Sequence, residues 1–427
     1  MGKLAIDGGT PVRAKPLQAG FHGSAEIDQH EVDAVLSVLS RKRLFRFLAP
    51  EEESEAAKIE AWYCQRLGRK YGLAVNGGTT ALICGLFGLD VGPGDEVIIP
   101  AHTYVATAAA VIAAGGVPVI AEVDASLNMD PLDLEKKITP YTRAIVPVHM
   151  RGVPARMDQI MAVANKHNIP VLEDVAQANG GSFKGRLLGT FGKGACFSFQ
   201  QYKIITSGEG GIVVSDDPEV FDRCRMQHDS AARFWEGAGK RSYDFVISGE
   251  NYRLSELSAA LFLAQIPRLD PLLAQFRMVK KRILTGLAGL KGITLQDVPD
   301  PDGDCGIAFV FFVPHAALAR SVASALNAEN IRCGTIYDNT IPDRHIYSNW
   351  PFMMSGLAEE RRAPWKSPFY KGAIKGYRPD ECPQSLDYLG RAVMLFIDQF
   401  FTVEDADTVA EGIRKVVGAM LSRCDQP

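Results

Sequence analysis

Residues 171–211 read VLEDVAQANGGSFKGRLLGTFGKGACFSFQQYKIITSGEGG. The stretch opens on a short apolar run that ends in Glu173 and Asp174. A second apolar run, residues 195–199, leads to Lys203, and Gly208, Gly210 and Gly211 follow. Short apolar runs bounded by turn residues predict buried strands. In open α/β sheets ligands bind at the carboxyl ends of such strands. One carboxylate and one lysine, each just past a strand end, meet the needs of a pyridoxal phosphate (PLP) site. The lysine holds the cofactor as a Schiff base, so its pKa must be lowered by burial or positive neighbours. The acid sits against the pyridinium nitrogen and keeps the ring electron-poor. Alone, Lys203 reads as a surface lysine before a turn and Asp174 as a helix cap. Together they read as a cofactor site, with glycines that let the backbone pass a bulky ring.

The flanking sequence supplies the frame. Strand-like runs lie at residues 72–75, 96–100, 117–123, 144–148, 170–173, 195–199 and 211–215. Helical spacing intervenes at 80–89, 106–114, 132–138 and 156–167. Seven strands with helical crossovers predict an α/β fold around a mainly parallel seven-stranded sheet, covered on both faces. Upstream, residues 26–39 have helical spacing and lead into a basic stretch, RKRLFRF at 41–47, expected as a solvated helix end. Downstream, 254–290 reads as a long helix interrupted at Pro267 and Pro271. Strand signals at 293–296 and 308–313 flank the turn PDPDG, and helices are expected at 316–327 and 403–421. This predicts a smaller C-terminal α+β domain and a division into residues 1–265 and 266–427. Residues 337–380 are rich in aromatics, Pro and Asn with little periodicity, and are expected as loops packed near the site.

Bulk composition narrows the function. A chain of 427 residues is too long for one compact core. With 46 Lys+Arg against 50 Asp+Glu, net charge −4, no basic face for nucleic acid is expected. The apolar segment at 105–116 falls far short of the roughly 20 residues that span a bilayer. The N-terminus lacks the apolar core of a signal peptide and, with Ile6 at position six, the myristoylation pattern. No membrane association is expected, and the location expected is cytoplasmic. Eight irregularly spaced cysteines without a C-x-x-C predict free thiols in a reducing compartment and no metal site.

Further candidates line the strand ends. NGGTTAL at 76–82 follows the first strand and opens a helix, so Gly78 and Thr79 are candidate phosphate contacts; Ser198 is another. Gln177 lies within reach of a ring hydroxyl. Tyr104, in PAHTYVATA, reads equally as a ring-stacking aromatic or as core packing. His149 and Arg151, after the 144–148 strand, are candidates to meet an anionic substrate. A strand-end histidine bonded to backbone is an equal alternative for the former.

GTTALICGL, PAHTYVATA, LEDVAQANGG, FSFQQYKIITSGEGG and GENYRLSELSAAL occur in this order. With them the sequence resembles the PLP-dependent sugar aminotransferases of the DegT/DnrJ/EryC1/StrS family, from LAIDGGTPVR near the start to the C-terminal helix. The resemblance implies the aspartate-aminotransferase-like fold (PLP fold type I) and a homodimer with shared active sites. It implies transfer of an amino group from L-glutamate or L-glutamine to a keto sugar, keto sugar acid or keto-cyclitol. Lys203 corresponds to the Schiff-base lysine, Asp174 to the pyridinium partner, Gln177 to the ring-hydroxyl contact and Tyr104 to the stacking aromatic. Gly78, Thr79 and Ser198 correspond to the phosphate cup, and Asn251 to the asparagine that reaches the phosphate of the other subunit. Three features depart from the family: VHMRG puts Arg151 where an aromatic is usual, CPQSLDY lacks the usual glutamate, and the insert around 337–368 is long. They point away from nucleotide-linked acceptors and toward sugar acids or keto-cyclitols, with Arg151 available to a carboxylate. Two alternatives remain: a PLP-dependent sugar dehydratase, in which a histidine replaces the lysine, and a non-catalytic PLP-binding regulator, for which no DNA-binding module is visible.

Overall fold

The computed structural model describes residues 3–18, 22–48, 50–232, 248–338, 340, 342–354 and 363–424. All seven expected strands of the large sheet form: β1 (Tyr71–Val75), β2 (Glu96–Pro100), β3 (Val117–Ala121), β4 (Thr142–Ile145), β5 (Leu172–Asp174), β6 (Gly194–Ser198) and β7 (Gly211–Ser215). Their order is β1-β7-β6-β5 and β4-β2-β3. Parallel bridges from Ile145 to Val171 and from Val148 to Asp174 join the two halves. Every pairing is parallel except those of β7, which runs antiparallel to β1 and β6. The cause is chain length: residues 199–210 carry no helix, so the chain returns beside β6 instead of crossing over. Lys203 sits in that return loop.

Residues of β2 and β3 are buried throughout, as a sheet covered on both faces requires. Helix α1 (Gln29–Arg41) starts at Asp28, which forms a capping box with Glu31. Three longer helices lie outside the expected set: α2 (Glu55–Leu67), capped by Ser54, one spanning Pro218–His228 and one spanning Pro383–Arg391. The basic stretch after α1 is not freely solvated. Arg41 pairs with Glu55 at 2.5 Å, and Arg43 and Arg46 pair with Glu53 and Glu60. Helix α3 (Gly78–Gly88) follows β1, and α4 (Ala106–Ala113) follows β2.

The 254–290 stretch is two helices, Glu256–Gln265 and Leu269–Gly286, joined by a 3-10 turn at Ile266–Arg268 that contains Pro267. Together they are long and apolar enough to cross a membrane, with mean hydropathy 1.2. Here Leu269, Leu273, Phe276, Val279 and Ile283 are buried in the protein core. A second, antiparallel sheet follows: β8 (Thr294–Leu295), β9 (Ala308–Phe312), β10 (Gly334–Thr335) and β11 (Ala392–Phe396), in the order β8-β9-β11-β10. The C-terminal helix runs Val403–Cys424.

The 337–380 insert is largely irregular, and its residues 339, 341 and 355–362 lie outside the described set. Its aromatics do the packing. Tyr347, Trp350, Trp365, Tyr370 and Tyr377 are buried in one cluster with Val97 and Ile99 of β2. The insert also bonds to the carboxyl end of β2: Thr103 N–H donates to the His345 carbonyl and Val105 N–H to the Arg344 carbonyl, both at 2.9 Å.

Candidate active site

The carboxyl ends of the parallel strands converge on one region, and the polar candidates are distributed along it. Asp174 is the last residue of β5 and is buried. Its Oδ1 accepts the Ala176 N–H at 3.1 Å, and its Oδ2 accepts the Thr107 hydroxyl at 3.0 Å. Thr107 is in turn 2.7 Å from the hydroxyl of Thr103, and both threonines are buried. Burial raises the Asp174 pKa; these bonds and the charge of Lys203 oppose it without cancelling it. A buried acid held this way is short of a cation, which a protonated pyridine nitrogen supplies.

Lys203 is the complementary case. Burial pushes its pKa down to about 8; Asp174 opposes the shift and the Arg151 charge reinforces it. A buried lysine with this pKa has a substantial neutral fraction near neutral pH and is nucleophilic. The N-terminal segment braces its loop: Gly23 N–H donates to the Lys203 carbonyl at 3.3 Å.

The turn after β1 makes an anion cradle. Gly77 caps α3 without a side chain, and the first N–H groups of the helix have no intrahelical acceptor. A Cβ on Gly78 would lie 2.7 Å from Ser198 Cβ and 2.8 Å from its Oγ, so only glycine leaves the hydroxyl room beside the helix end. One on Gly211 would lie 2.7 Å from the Gly77 carbonyl, so glycine there lets β7 pass against the same turn. Thr79 is exposed at this end, and Ser198 is buried. Cradle, buried acid and low-pKa lysine fit the phosphate, ring nitrogen and aldehyde of PLP. Among the described residues no cluster of His, Cys, Asp or Glu fits a metal.

Tyr104 precedes α4 and is 39% exposed, with its ring 5.3 Å from that of His345. Gln177 Oε1 accepts the Arg151 N–H at 3.1 Å, which leaves its NH2 to donate outward. His149, a candidate for substrate, is fully buried with both ring nitrogens engaged. Nδ1 accepts the Ala155 N–H at 3.1 Å, and Nε2 lies 3.4 Å from Glu173. The ring has no nitrogen left for a substrate, and the strand-end alternative describes it. Glu173 itself accepts N–H bonds from Gly189, Phe191 and Gly192 at 2.6–2.8 Å, so it anchors the loop before β6. Asn251 is exposed, and its backbone bridges Asp229. Among the described residues no hydrogen bond joins its side chain to Gly78, Thr79 or Ser198.

Sequence reasoning passed over Thr107, His345 and Asp343. Thr107 lies three residues beyond Tyr104 in the quoted motif, one helical turn on, and that spacing was a readable signal. His345 and Asp343 belong to the aperiodic insert, where no pattern marks them. His345 Nδ1–H donates to Asp343 at 2.7 Å. Burial would raise the Asp343 pKa, but His345 and Arg151 outweigh it and hold the acid at about 2.

Comparison with known proteins agrees with this geometry. The DegT/DnrJ/EryC1/StrS aminotransferase family matches residues 26–356. The dTDP-3-amino-3,4,6-trideoxy-alpha-D-glucose transaminase of Streptomyces venezuelae is 40% identical over 277 residues, 64% of this chain and 69% of the relative. A Streptoalloteichus tenebrarius protein provisionally named L-glutamine:3-amino-2,3-dideoxy-scyllo-inosose aminotransferase is 36% identical over 300 residues, 70% of each chain. The crystal structure of 3-amino-5-hydroxybenzoic acid synthase superposes with a TM-score of 0.75 at 26% identity, covering 95% of this chain and 100% of that one. The chain therefore belongs to the DegT/DnrJ/EryC1/StrS aminotransferase family, has PLP fold type I, and is a PLP-dependent aminotransferase.

Proposed function

We propose that the enzyme moves an amino group from L-glutamate or L-glutamine to a keto sugar, keto sugar acid or keto-cyclitol. The observation that carries the site reading is the pairing at adjacent strand ends of a buried acid, Asp174, and a lysine with its pKa brought to about 8, Lys203. Relatives named for an amino sugar and for an aminated inosose support the acceptor class. In this reading Lys203 holds the cofactor, Asp174 faces the ring nitrogen and Gln177 meets the ring hydroxyl. Tyr104 covers the ring face, and Gly78, Thr79 and Ser198 hold the phosphate. PLP, when bound, supplies the electron sink that makes the proton on the amine-bearing carbon acidic. Lys203 Nζ, once free, takes that proton as general base and returns it as general acid.

The exposed Asn251 fits a homodimer in which Asn251 of the partner subunit completes the phosphate site. Residues 1–265 would form the cofactor-binding part and 266–427 the smaller domain. The seven cysteines described as free suit a cytoplasmic enzyme, acting on small molecules without nucleic acid or membrane.

The test is a pair of half-reactions. L-glutamate or L-glutamine should bleach the absorbance band of the lysine-bound cofactor. The resulting amine form should regain the band with members of a panel of keto sugars, sugar acids and cyclitols. Binding of PLP without bleaching by either amino acid would replace this reading with that of a non-catalytic binder; ammonia-free turnover of a sugar by water loss would replace it with a dehydratase.

A further inference from the structure

Arg151 is a cation without a carboxylate among the described residues. It follows β4 in a left-handed turn, φ 55°, which strains a side-chain-bearing residue. Its backbone N–H is fixed on Gln177. Its guanidinium carbon lies 5.0 Å from the centroid of the Phe396 ring, at the end of β11. Nη2 lies 3.3 Å from His345 Nδ1, and Nε is buried without a hydrogen-bond partner. No ion pair among the described residues reaches it. Asp343, the acid whose charge it feels, is occupied by His345, whose backbone N–H and ring Nδ1–H both bond to Oδ1. Burial pushes the guanidinium down to about 10. A cation taken out of water is costly unless an anion meets it.

The surroundings say which anion. Arg151 is near enough to Lys203 for its charge to lower that pKa. Its neighbour His345 touches the ring of Tyr104. The unpaired guanidinium therefore stands beside the groups assigned to the reacting end of the cofactor. Of the two substrates, the amino acid must bring a carboxylate next to the carbon that loses its amine. We propose that Arg151, packed against Phe396 and beside His345, anchors the α-carboxylate of the amino-acid donor. The inference rests on the site reading above. It brings the insert to the donor site, because His345 lies against the arginine and Asp343 contributes its charge. Bidentate bonding to a carboxylate suits a planar guanidinium and not an ammonium. Closing the Arg151 charge with an anion also removes one of the two influences that depress Lys203. Donor binding thus leaves the lysine a stronger base.

The test uses holoenzyme, wild type, Arg151→Gln and Arg151→Lys. The first readout is equilibrium binding of glutarate, which carries the carboxylate but no amine, against its neutral diamide, by calorimetry. The wild type should bind glutarate and not the diamide. Arg151→Gln should weaken glutarate about 10- to 100-fold, the worth of a charged hydrogen bond, and Arg151→Lys by less. The second readout is each half-reaction: the donor step should lose affinity for amino acid, with KM raised more than kcat is lowered. Unchanged glutarate binding in both variants overturns the inference. So does a loss confined to an acidic acceptor, which would assign the arginine to the acceptor's anion. A wild type that binds PLP without a lysine-bound band overturns the site reading and this inference with it. The band present but indifferent to Arg151 overturns the inference alone.

Discussion

Thr107→Val removes one hydroxyl and nothing else of comparable size. That hydroxyl donates to Asp174 Oδ2 at 3.0 Å and is itself met by Thr103 at 2.7 Å. A hydrogen bond to a charged group contributes roughly 1.5–3 kcal/mol, against about 0.5–1.5 for a neutral one. At about 1.4 kcal/mol per pKa unit, its loss moves Asp174 up by roughly 1–2 units. Asp174 is already raised by burial in the folded chain. The folded state thus keeps this proton longer than the unfolded state does. Its contribution to stability is highest below the unfolded carboxylate value and falls as pH rises through the raised folded value. The variant raises the folded value further, so its deficit should grow with pH. Urea unfolding of cofactor-free wild type and variant at about pH 4.5 and about pH 8 reads this directly, with a deficit near 0.5–1.5 kcal/mol at the lower pH and near 1.5–3 at the higher. In the holoenzyme the same change should move the pH response of the cofactor band. Equal deficits at both pH values, or none, would refute the claim that Thr107 supports the ionised acid.

Gly78→Ala places a methyl 2.7 Å from Ser198 Cβ; PLP affinity, measured by titration of dialysed enzyme, should drop at least about tenfold, and unchanged affinity would remove the turn from the phosphate site. The rate at which dialysed enzyme attaches PLP should rise with pH and level off above about 8, because only neutral Lys203 attacks; a rate still climbing toward the ordinary lysine value would contradict the depressed pKa. Glu173→Gln leaves a neutral amide against three N–H donors and His149, so the urea midpoint should fall by an amount equivalent to about 3–5 kcal/mol. A midpoint within error of wild type would mean the loop before β6 is held by something else.

Much of this was readable in the chain because the readable parts are periodic or local. The seven strands come from short, mainly apolar runs, β-branched in EVIIP and VPVIA, and each formed within a few residues of the expected place. Asp174 was legible because it ends β5, where the sheet itself fixes position, and Lys203 because it lies in the short loop just past β6. What was hidden depends on contacts across the sequence. Strand β7 is antiparallel because its loop is short, a fact of length that apolar pattern does not carry. Helix α2 was masked by its polar first turns, although Ser54 is a readable cap. Strand β11 lies beyond the aperiodic insert in a stretch given no expected element, and it finds its register against β9 and β10. His149 looked like a ligand because a strand-end histidine can be one; that Glu173 and Ala155 occupy its nitrogens is settled by packing. His345 entered the site from 337–380 because buried aromatics of that insert tie it to β2.

The central assignment is that Lys203 is the lysine bound to the cofactor. Treating the holoenzyme with borohydride fixes the cofactor covalently on whichever lysine holds it. Trypsin cannot cut at a modified lysine. The added mass should fall on one peptide, residues 194–223, uncut at Lys203, and Lys203→Ala should yield no labelled peptide. A label on any other lysine, or an unlabelled wild type saturated with PLP, would contradict it.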